Sequence, residues 1–302
     1  MSWVGGPCGR GQPRAGDTSK AFGHQLGRLS RHDGPVITRR RLLIGGAGVV
    51  GLGALGTAGW ELAPYSVKAR LGLVPDPYIP DAAEGQVRLE TVKSRALGGE
   101  VDLFTAVPAG HGDGVNLPVV VILHGASASA ARFQEFGLGR FLTAAVERGA
   151  PPFVLAGTDD GPTGWVPDGS GADPQAMVLD EMPGWLAERG FDADRRALWG
   201  WSRGGYGVLR LAEVAPGWAR AAAMFSPAVI EDDEVFDGLD ALAPLPLGFW
   251  CGIEDPFVGA VRDLVDDLPV EPEMLTYAEG GHTRVFWNDH TLDAFSWLAA
   301  EL

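Results

Sequence analysis

Short apolar runs alternate with amphipathic segments along most of this chain. Residues 118–123 are continuously apolar, which is typical of a parallel strand buried on both faces. Elsewhere, apolar residues that recur every three or four positions favour helices. The predicted strands are residues 87–92, 100–107, 118–123, 153–156, 196–199, 219–225, 247–251 and 273–277. The predicted helices are residues 132–148, 174–189, 205–214 and 291–302.

The order of these elements predicts the fold class. Two strands come first and are expected to pair antiparallel, and strands then alternate with helices. Such alternation places parallel strands side by side, with helices covering both faces. We therefore expect an α/β protein with a mostly parallel central sheet, built from residues 86–302 as one domain. Asp173 is the expected N-cap of the second helix, and Gly190 is its expected C′ residue.

The first 85 residues lack this alternation. Residues 61–85 are predicted to form a linker, because four prolines interrupt any regular element: Pro64, Pro75, Pro77 and Pro80. Residues 1–37 contain many Gly, Arg and Pro residues without periodicity and are predicted to be a disordered lead. Such a lead is long for a targeting segment, which raises the hypothesis that translation begins at Val36.

Residues 38–60 resemble an export signal peptide. Residues 38–43 read Thr-Arg-Arg-Arg-Leu-Leu, and residues 42–60 are uncharged. Twin arginines before a weakly apolar segment are typical of a bacterial Tat signal, so we expect the Tat translocation machinery as a partner and an extracytoplasmic location. Residues 42–60 are near the minimum length for a membrane span, so the protein is expected to be either secreted or anchored to the outer face of the cytoplasmic membrane. The alternative is a dinucleotide-binding loop, but a preceding strand and a following acidic residue are missing.

Charge is divided unevenly along the chain. Residues 1–60 hold 8 Lys/Arg and 2 Asp/Glu, a net charge of +6, whereas residues 61–302 hold 16 and 37, a net charge of −21. Because an acidic body repels nucleic acid, we expect no nucleic-acid partner. The two cysteines, Cys8 and Cys251, form neither a disulfide framework nor a zinc pattern.

The candidate nucleophile is Ser202. Residues 200–204 read Gly-Trp-Ser-Arg-Gly and lie between a predicted strand and a predicted helix. This is the context of a nucleophile elbow, a tight turn that lifts a serine hydroxyl above the sheet. The flanking glycines leave room for its backbone. The motif has low specificity in a chain with 44 glycines, but an acid and a histidine follow it in chain order.

A serine hydroxyl needs a base to take its proton, and the base needs a partner that orients it. His282 follows the last predicted strand and two glycines, so its loop can return over the sheet. It is the expected base, with His290 as the alternative. Asp255 follows the preceding predicted strand and is the expected orienting carboxylate, with Glu254 as the alternative. Asp255 could also N-cap the next helix, with Pro256 at the first helical position.

The oxyanion that forms on attack needs two backbone N–H donors. Arg203, the residue after the serine, is the expected source of one. The second is expected from the loop after residue 123, with Ala126 as the first candidate and Ser127 as the next. His124 is expected to shape this loop.

The loop after the fourth predicted strand is expected to line the pocket. Trp165 in this loop is the candidate substrate-binding residue, and an exposed loop tryptophan is the alternative. The pair Asp159-Asp160 could suggest a metal ion, but no histidine accompanies it, so a solvated turn is the favoured interpretation. We expect neither a metal nor a cofactor.

These motifs resemble one family. His124-Gly125, residues 200–205, residues 252–257 (Gly-Ile-Glu-Asp-Pro-Phe) and residues 280–287 (Gly-Gly-His-Thr-Arg-Val-Phe-Trp) resemble the Putative esterase family. That family contains esterase D (S-formylglutathione hydrolase), feruloyl esterases and mycobacterial mycolyltransferases. The resemblance spans residues 85–302, and residues 173–185 resemble the family's exported actinobacterial members. Arg203 stands where the family often has methionine, so the family's substrate preferences are not carried over.

The resemblance implies an α/β-hydrolase fold, no cofactor, and acyl-ester chemistry at Ser202, Asp255 and His282. With the export signal, it predicts an exported serine esterase that hydrolyses a small or medium acyl ester through an acyl-enzyme on Ser202. Two alternatives stay open. One is an acyltransferase that moves the acyl group to a sugar or polyol, since the same acyl-enzyme serves both reactions. The other is a non-catalytic envelope protein that uses the fold to bind.

Overall fold

The computed structural model describes residues 75–302. The predicted disordered lead, the predicted Tat signal and the first part of the predicted linker lie outside the described residues. No helix between residues 75 and 302 is both long enough and apolar enough to cross a membrane.

Within the described residues, eight strands form one sheet in the order β1-β2-β4-β3-β5-β6-β7-β8. The strands are β1 Gln86–Ser94, β2 Gly99–Val107, β3 Pro118–Leu123, β4 Val154–Thr158, β5 Asp192–Trp201, β6 Ala222–Phe225, β7 Leu247–Gly252 and β8 Met274–Ala278. β2 pairs antiparallel with both β1 and β4, and the other pairs are parallel. The predicted mostly parallel α/β sheet is confirmed.

Helices occur in all four predicted regions of the described residues, with changed boundaries, and a further helix follows β7. They are α1 Arg132–Glu135, α2 Leu138–Glu147, α3 Pro174–Ala176, α4 Met182–Glu188, α5 Arg203–Val214, α6 Val258–Asp267 and α7 Arg284–Glu301. A π-helical turn, Met177–Glu181, joins α3 to α4, and a 3₁₀ helix, Glu234–Leu242, lies between β6 and β7.

The sheet is covered on both faces. Side chains alternate along a strand, so Val119, Val121 and Leu123 of β3 point to one face and Val120 and Ile122 to the other. All five are fully buried. The first face packs against α4, α5 and α6, and the second against α1, α2 and α7. This layering explains why the strand is apolar at every position.

The predicted helix 132–148 is interrupted at Gly137, which has a φ of 76°. A methyl group at this glycine would lie 2.6 Å from a side-chain carbon of Ile79, so the segment before β1 packs tightly onto the break. The carbonyl of Tyr78 also accepts a hydrogen bond from the Asn288 side chain of α7. Residues 75–85 therefore lie against the folded domain, although they form neither helix nor strand.

Two predicted helix ends have the expected chemistry. The Asp173 side chain accepts a hydrogen bond from the backbone N–H of Ala176 at 2.8 Å, as expected of an N-cap. Gly190 follows α4 with a φ of 83°, the left-handed conformation that glycine tolerates at a C′ position. In contrast, α7 begins at Arg284 rather than at the predicted residue 291, so its first turn directly follows the loop that carries His282.

Candidate active site

Ser202 occupies a sharp turn between β5 and α5, as the sequence predicts. Its φ of 57° and ψ of −125° lie outside the regions that non-glycine residues ordinarily adopt. A backbone hydrogen bond holds this turn, because the Ser202 N–H donates to the Phe225 carbonyl at the end of β6. Strained backbone at a residue with a reactive side chain is typical of a functional position.

The two motif glycines are required by close backbone contacts. A methyl group at Gly204 would lie 1.9 Å from the carbonyl oxygen of Leu123 in β3. A methyl group at Gly200 would lie 2.5 Å from the carbonyl oxygen of Gly204. The first turn of α5 therefore packs directly on β3 and folds back over β5, which fixes the direction in which Ser202 points.

His282 lies in the loop between β8 and α7. Its Nε2 atom lies 2.8 Å from the Ser202 Oγ, and its Nδ1 atom lies 2.9 Å from an oxygen of Asp255. Since a carboxylate only accepts, Nδ1–H donates to Asp255 and Nε2 accepts from the serine hydroxyl. This is the tautomer that a general base needs. The approach depends on Gly252, where a methyl group would lie 2.3 Å from the Gly280 carbonyl oxygen.

Asp255 lies just after β7, and its side chain is fully buried. One carboxylate oxygen accepts from His282, and the other accepts from the backbone N–H of Phe257 at 3.0 Å. A buried carboxylate is tolerated only when its oxygens are satisfied in this way. The capping interpretation is partly correct, because Asp255 caps the turn that precedes α6, although the helix begins at Val258 rather than at Pro256.

The alternative residues lie elsewhere. His290 is six residues into α7, and its ring packs on Phe286 with the ring centroids 4.6 Å apart. Burial lowers the pKa of His290 below its ordinary value. Glu254 is exposed, and its backbone N–H donates to Gly280. The structure thus brings together Ser202, Asp255 and His282, the three residues that sequence motifs selected.

The predicted oxyanion donors lie on both sides of Ser202. Arg203 begins α5, where the first N–H groups of a helix have no intrahelical acceptor. On the other side, a methyl group at Gly125 would lie 3.1 Å from the Ser202 Cβ, so the loop that carries Ala126 contacts the serine. Ala126 and the next residue, Ser127, are both exposed.

His124 fixes the orientation of this loop, as predicted. Its Nδ1 lies 2.8 Å from the Gly125 carbonyl oxygen, so Nδ1–H donates to it. That carbonyl belongs to the same peptide group as the Ala126 N–H. Because a peptide group is planar, the bond sets the direction of the Ala126 donor. Burial lowers the pKa of His124, which keeps the imidazole neutral.

The prediction for Trp165 needs correction. Its side chain is 2% exposed, so the exposed alternative is wrong and little of the ring is left for a substrate to touch. The indole N–H donates to the His124 carbonyl at 2.9 Å, and the ring packs on Gly207 of α5. A hydrogen bond from the indole N–H is usual for a buried tryptophan. Trp165 therefore packs beneath the loop that carries Ala126 and stabilises it through the hydrogen bond to His124.

The pair Asp159-Asp160 is held by protein contacts and is only partly exposed. Asp159 accepts hydrogen bonds from the backbone N–H groups of Ala130 and Asp102. Asp160 forms an ion pair with Arg203 and lies 3.9 Å from the Nε2 of His124. Between residues 75 and 302, no group of three or more His, Cys, Asp or Glu side chains is arranged to bind a metal ion.

Sequence reasoning missed the aromatic rings that contact His282. Phe257 and Trp287 pack against the imidazole, with ring centroids 5.2 Å and 5.1 Å away. Both lie within motifs that resemble a known family, which was the only available signal. Ser226, which contacts Trp287, carries no sequence signal beyond its position after a strand.

A mostly parallel sheet with helices on both faces, an elbow serine after β5, and an acid and a histidine after later strands define the α/β-hydrolase class. The sequence matches the family model described as Putative esterase over residues 94–298. The chain belongs to that family, and this membership supports an esterase function. No protein with a curated description matches the sequence significantly.

Solved structures share the fold at low sequence identity. A ferulic acid esterase matches with a TM-score of 0.63 and 16% identity, covering 74% of this chain and 100% of that one. An S-formylglutathione hydrolase from Agrobacterium tumefaciens matches with a TM-score of 0.62 and 17% identity, covering 74% and 98%. A fluorophosphonate-binding serine hydrolase from Staphylococcus aureus matches with a TM-score of 0.60 and 16% identity, covering 71% and 98%.

Proposed function

We propose that this protein is an exported serine esterase that hydrolyses carboxylic esters through an acyl-enzyme on Ser202. The observation that carries the proposal is the hydrogen-bonded series from Ser202 through His282 to Asp255, with the serine held in a strained elbow. A protein that only binds has no need for a buried carboxylate that orients an imidazole toward a hydroxyl. This argument favours the enzyme over the non-catalytic envelope protein.

In the proposed reaction, the Ser202 Oγ attacks the acyl carbon while its proton passes to the His282 Nε2. Asp255 stabilises the imidazolium that forms. The negative charge on the former carbonyl oxygen is met by the Arg203 and Ala126 N–H groups, each worth about 3 kcal/mol of the barrier. The bond to the alcohol oxygen then breaks, and His282 returns the proton to that oxygen. Water repeats the sequence on the acyl-enzyme and releases the acid.

The backbone and the side chain of Arg203 have separate roles in this proposal. Its backbone N–H faces the oxyanion, whereas its side chain is held away by the ion pair with Asp160. The turn formed by Gly161 and Gly164 packs over the Arg203 side chain, since a methyl group at Gly164 would lie 2.9 Å from the Arg203 Cδ. The side chain therefore buttresses the loop after β4.

Export is the second part of the proposal, and it rests on the sequence of residues 38–60. The Tat machinery would carry the folded domain, and residues 42–60 would then be removed or would anchor it to the membrane. An extracytoplasmic esterase would meet esters of the envelope or of the surroundings.

The proposal is tested by labelling with a fluorophosphonate probe, followed by rates on a series of p-nitrophenyl esters of increasing acyl length. We expect covalent labelling at Ser202 and turnover that peaks at a small or medium acyl chain. No labelling and no turnover would instead support the binding protein. Product analysis with trehalose or glycerol present separates hydrolysis from transfer. Free acid is the expected product, and an acceptor that speeds turnover and carries most of the acyl groups would identify an acyltransferase.

A further inference from the structure

Ser226 has a backbone conformation that is rare for residues other than glycine. It follows β6 with a φ of 45°, and the whole residue is fully buried. Few non-glycine residues adopt positive φ, and those that do concentrate at functional sites. Its N–H donates to the Trp250 carbonyl at 2.7 Å, which fixes the residue between β6 and β7.

This conformation places the Ser226 hydroxyl against Trp287. The indole N–H of Trp287 donates to the Ser226 Oγ at 3.0 Å. Trp287 lies in the first turn of α7, five residues after His282 in the chain. Trp287 is half-buried, and a tryptophan indole N–H in such a position usually finds an acceptor, so this bond helps to determine where the ring lies.

Trp287 in turn contacts the imidazole of His282. The two ring planes are nearly perpendicular, at 89°, with the centroids 5.1 Å apart. Phe257 packs against the same imidazole at 66°. The imidazole therefore contacts two aromatic rings, while its two nitrogens face Ser202 and Asp255. These ring contacts restrict rotation of the imidazole about its bond to the Cβ.

We propose that Ser226 is a positioning residue for the esterase reaction, which acts through Trp287 to hold the His282 ring between Asp255 and Ser202. This inference rests on the proposed function of Ser202 and His282. It explains why a strained, buried serine lies beside the elbow: the Phe225 carbonyl just before it accepts the Ser202 N–H. One short segment thus fixes the nucleophile through its backbone and the base through its hydroxyl.

The test compares Trp287→Phe, Ser226→Gly and the double variant. Phenylalanine keeps an aromatic ring against His282 but removes the indole N–H. Glycine removes the hydroxyl and suits the positive φ, so folding is retained. Trp297→Phe is the matched control, because Trp297 lies in the same helix and its N–H donates to Glu273, at the other end of β8.

We expect each single variant to lower kcat on a p-nitrophenyl ester by about 10- to 100-fold with little change in KM, the pattern of a group that acts in the transition state. Since both substitutions break the same hydrogen bond between Trp287 and Ser226, the double variant should be no slower than the slower single variant. Trp297→Phe should have the kcat of the unsubstituted protein. Unchanged kcat in both single variants, or effects that add in the double variant, would overturn the proposal.

A second measurement does not depend on activity. The Nδ1–H of His282, hydrogen-bonded to Asp255, should give a downfield proton NMR signal in the unsubstituted protein and in Trp297→Phe. We expect this signal to broaden or disappear in Trp287→Phe and in Ser226→Gly, because the ring is less well held. Signals that persist in both variants contradict the positioning role. If the unsubstituted protein neither reacts with the fluorophosphonate nor turns over esters, the proposed function fails, while the NMR comparison still decides the role of Ser226.

Discussion

The Nε2 atom of His282 lies 2.8 Å from the Oγ of Ser202, although 80 residues separate the two in the chain. They meet because parallel strands end at the same edge of a sheet, and the loops after β5 and β8 both turn over that edge. This hydrogen bond pairs the serine hydroxyl with the base that the proposed reaction requires.

Because the three residues act as a unit, removing any one should remove most of the activity. We predict that Ser202→Ala or His282→Ala lowers kcat by on the order of 10⁴- to 10⁶-fold with the fold intact. Asp255→Asn should cost about 10³- to 10⁴-fold, because an amide stabilises the wrong tautomer of the imidazole. Rates on a p-nitrophenyl ester and far-ultraviolet circular dichroism measure both properties. His290→Ala is the control and should remain active, and the reverse pattern between the two histidines would overturn the assignment.

The sheet could be predicted because its signal is local. Residues 118–123 match β3 in full, since a strand buried on both faces is apolar at every position. The break at Gly137 was missed because a glycine inside a helical pattern need not end the helix, and its contact with Ile79, 58 positions away, is not visible in the sequence. The early start of α7 was missed because residues 284–290 mix charged, aromatic and apolar side chains without a clear helical period.

At the site, too, local motifs could be recognised from the sequence, whereas contacts between distant residues could not. Ser202, Asp255 and His282 could be selected because each lies in a motif after a predicted strand. The burial of Trp165 could not be predicted, because it depends on the glycine at position 207 that admits the ring. Nor could the contact between Ser226 and Trp287, which joins the segment after β6 to the first turn of α7, 61 residues later, and depends on a positive φ that the serine side chain does not indicate.

Gly204 provides a stability test of the elbow. A methyl group there would overlap the Leu123 carbonyl oxygen at 1.9 Å, so Gly204→Ala should destabilise the protein by about 3 kcal/mol or more. Gly184→Ala is the matched control, since Gly184 is an exposed glycine of α4 with no atom within 4 Å of an added methyl group. It should stabilise the protein by about 0.5–1 kcal/mol. Urea unfolding measures both, and equal midpoints for the two variants would contradict the elbow contacts.

Glu213 predicts a pH dependence of stability. Burial in α5 raises the pKa of this carboxyl to about 7, and the nearby Asp233, Asp237 and Glu234 add to this effect, which outweighs the opposing ion pair with Arg210. The folded protein thus favours the protonated form. Its contribution to stability is present below the ordinary value near 4.5 and is lost as the pH rises through about 7.

We predict that the free energy of unfolding falls by about 1–3 kcal/mol between about pH 5 and pH 7.5, and that Glu213→Gln removes this fall. Urea titrations at the two pH values provide the measurement. An identical fall in the glutamine variant would mean that another group is responsible.

The export signal is tested apart from the folded domain. A reporter fused to residues 36–65 should be exported in a Tat-dependent manner, and Arg39→Lys with Arg40→Lys should block that export. Arg41→Lys, just outside the twin pair, is the control and should leave export unchanged. Export of the double variant, or export through the Sec route, would remove the proposed extracytoplasmic location.

The most direct test of the esterase proposal is to find the acyl group on the protein. A p-nitrophenyl ester reaction is stopped with acid during turnover, and the digested protein is mapped by mass spectrometry. We predict one acyl group on the peptide that contains Ser202, formed at least as fast as kcat, and none on the same peptide of Ser202→Ala. Turnover without acylation of Ser202, or an acyl group on another residue that is formed at the rate of turnover, would contradict the proposal.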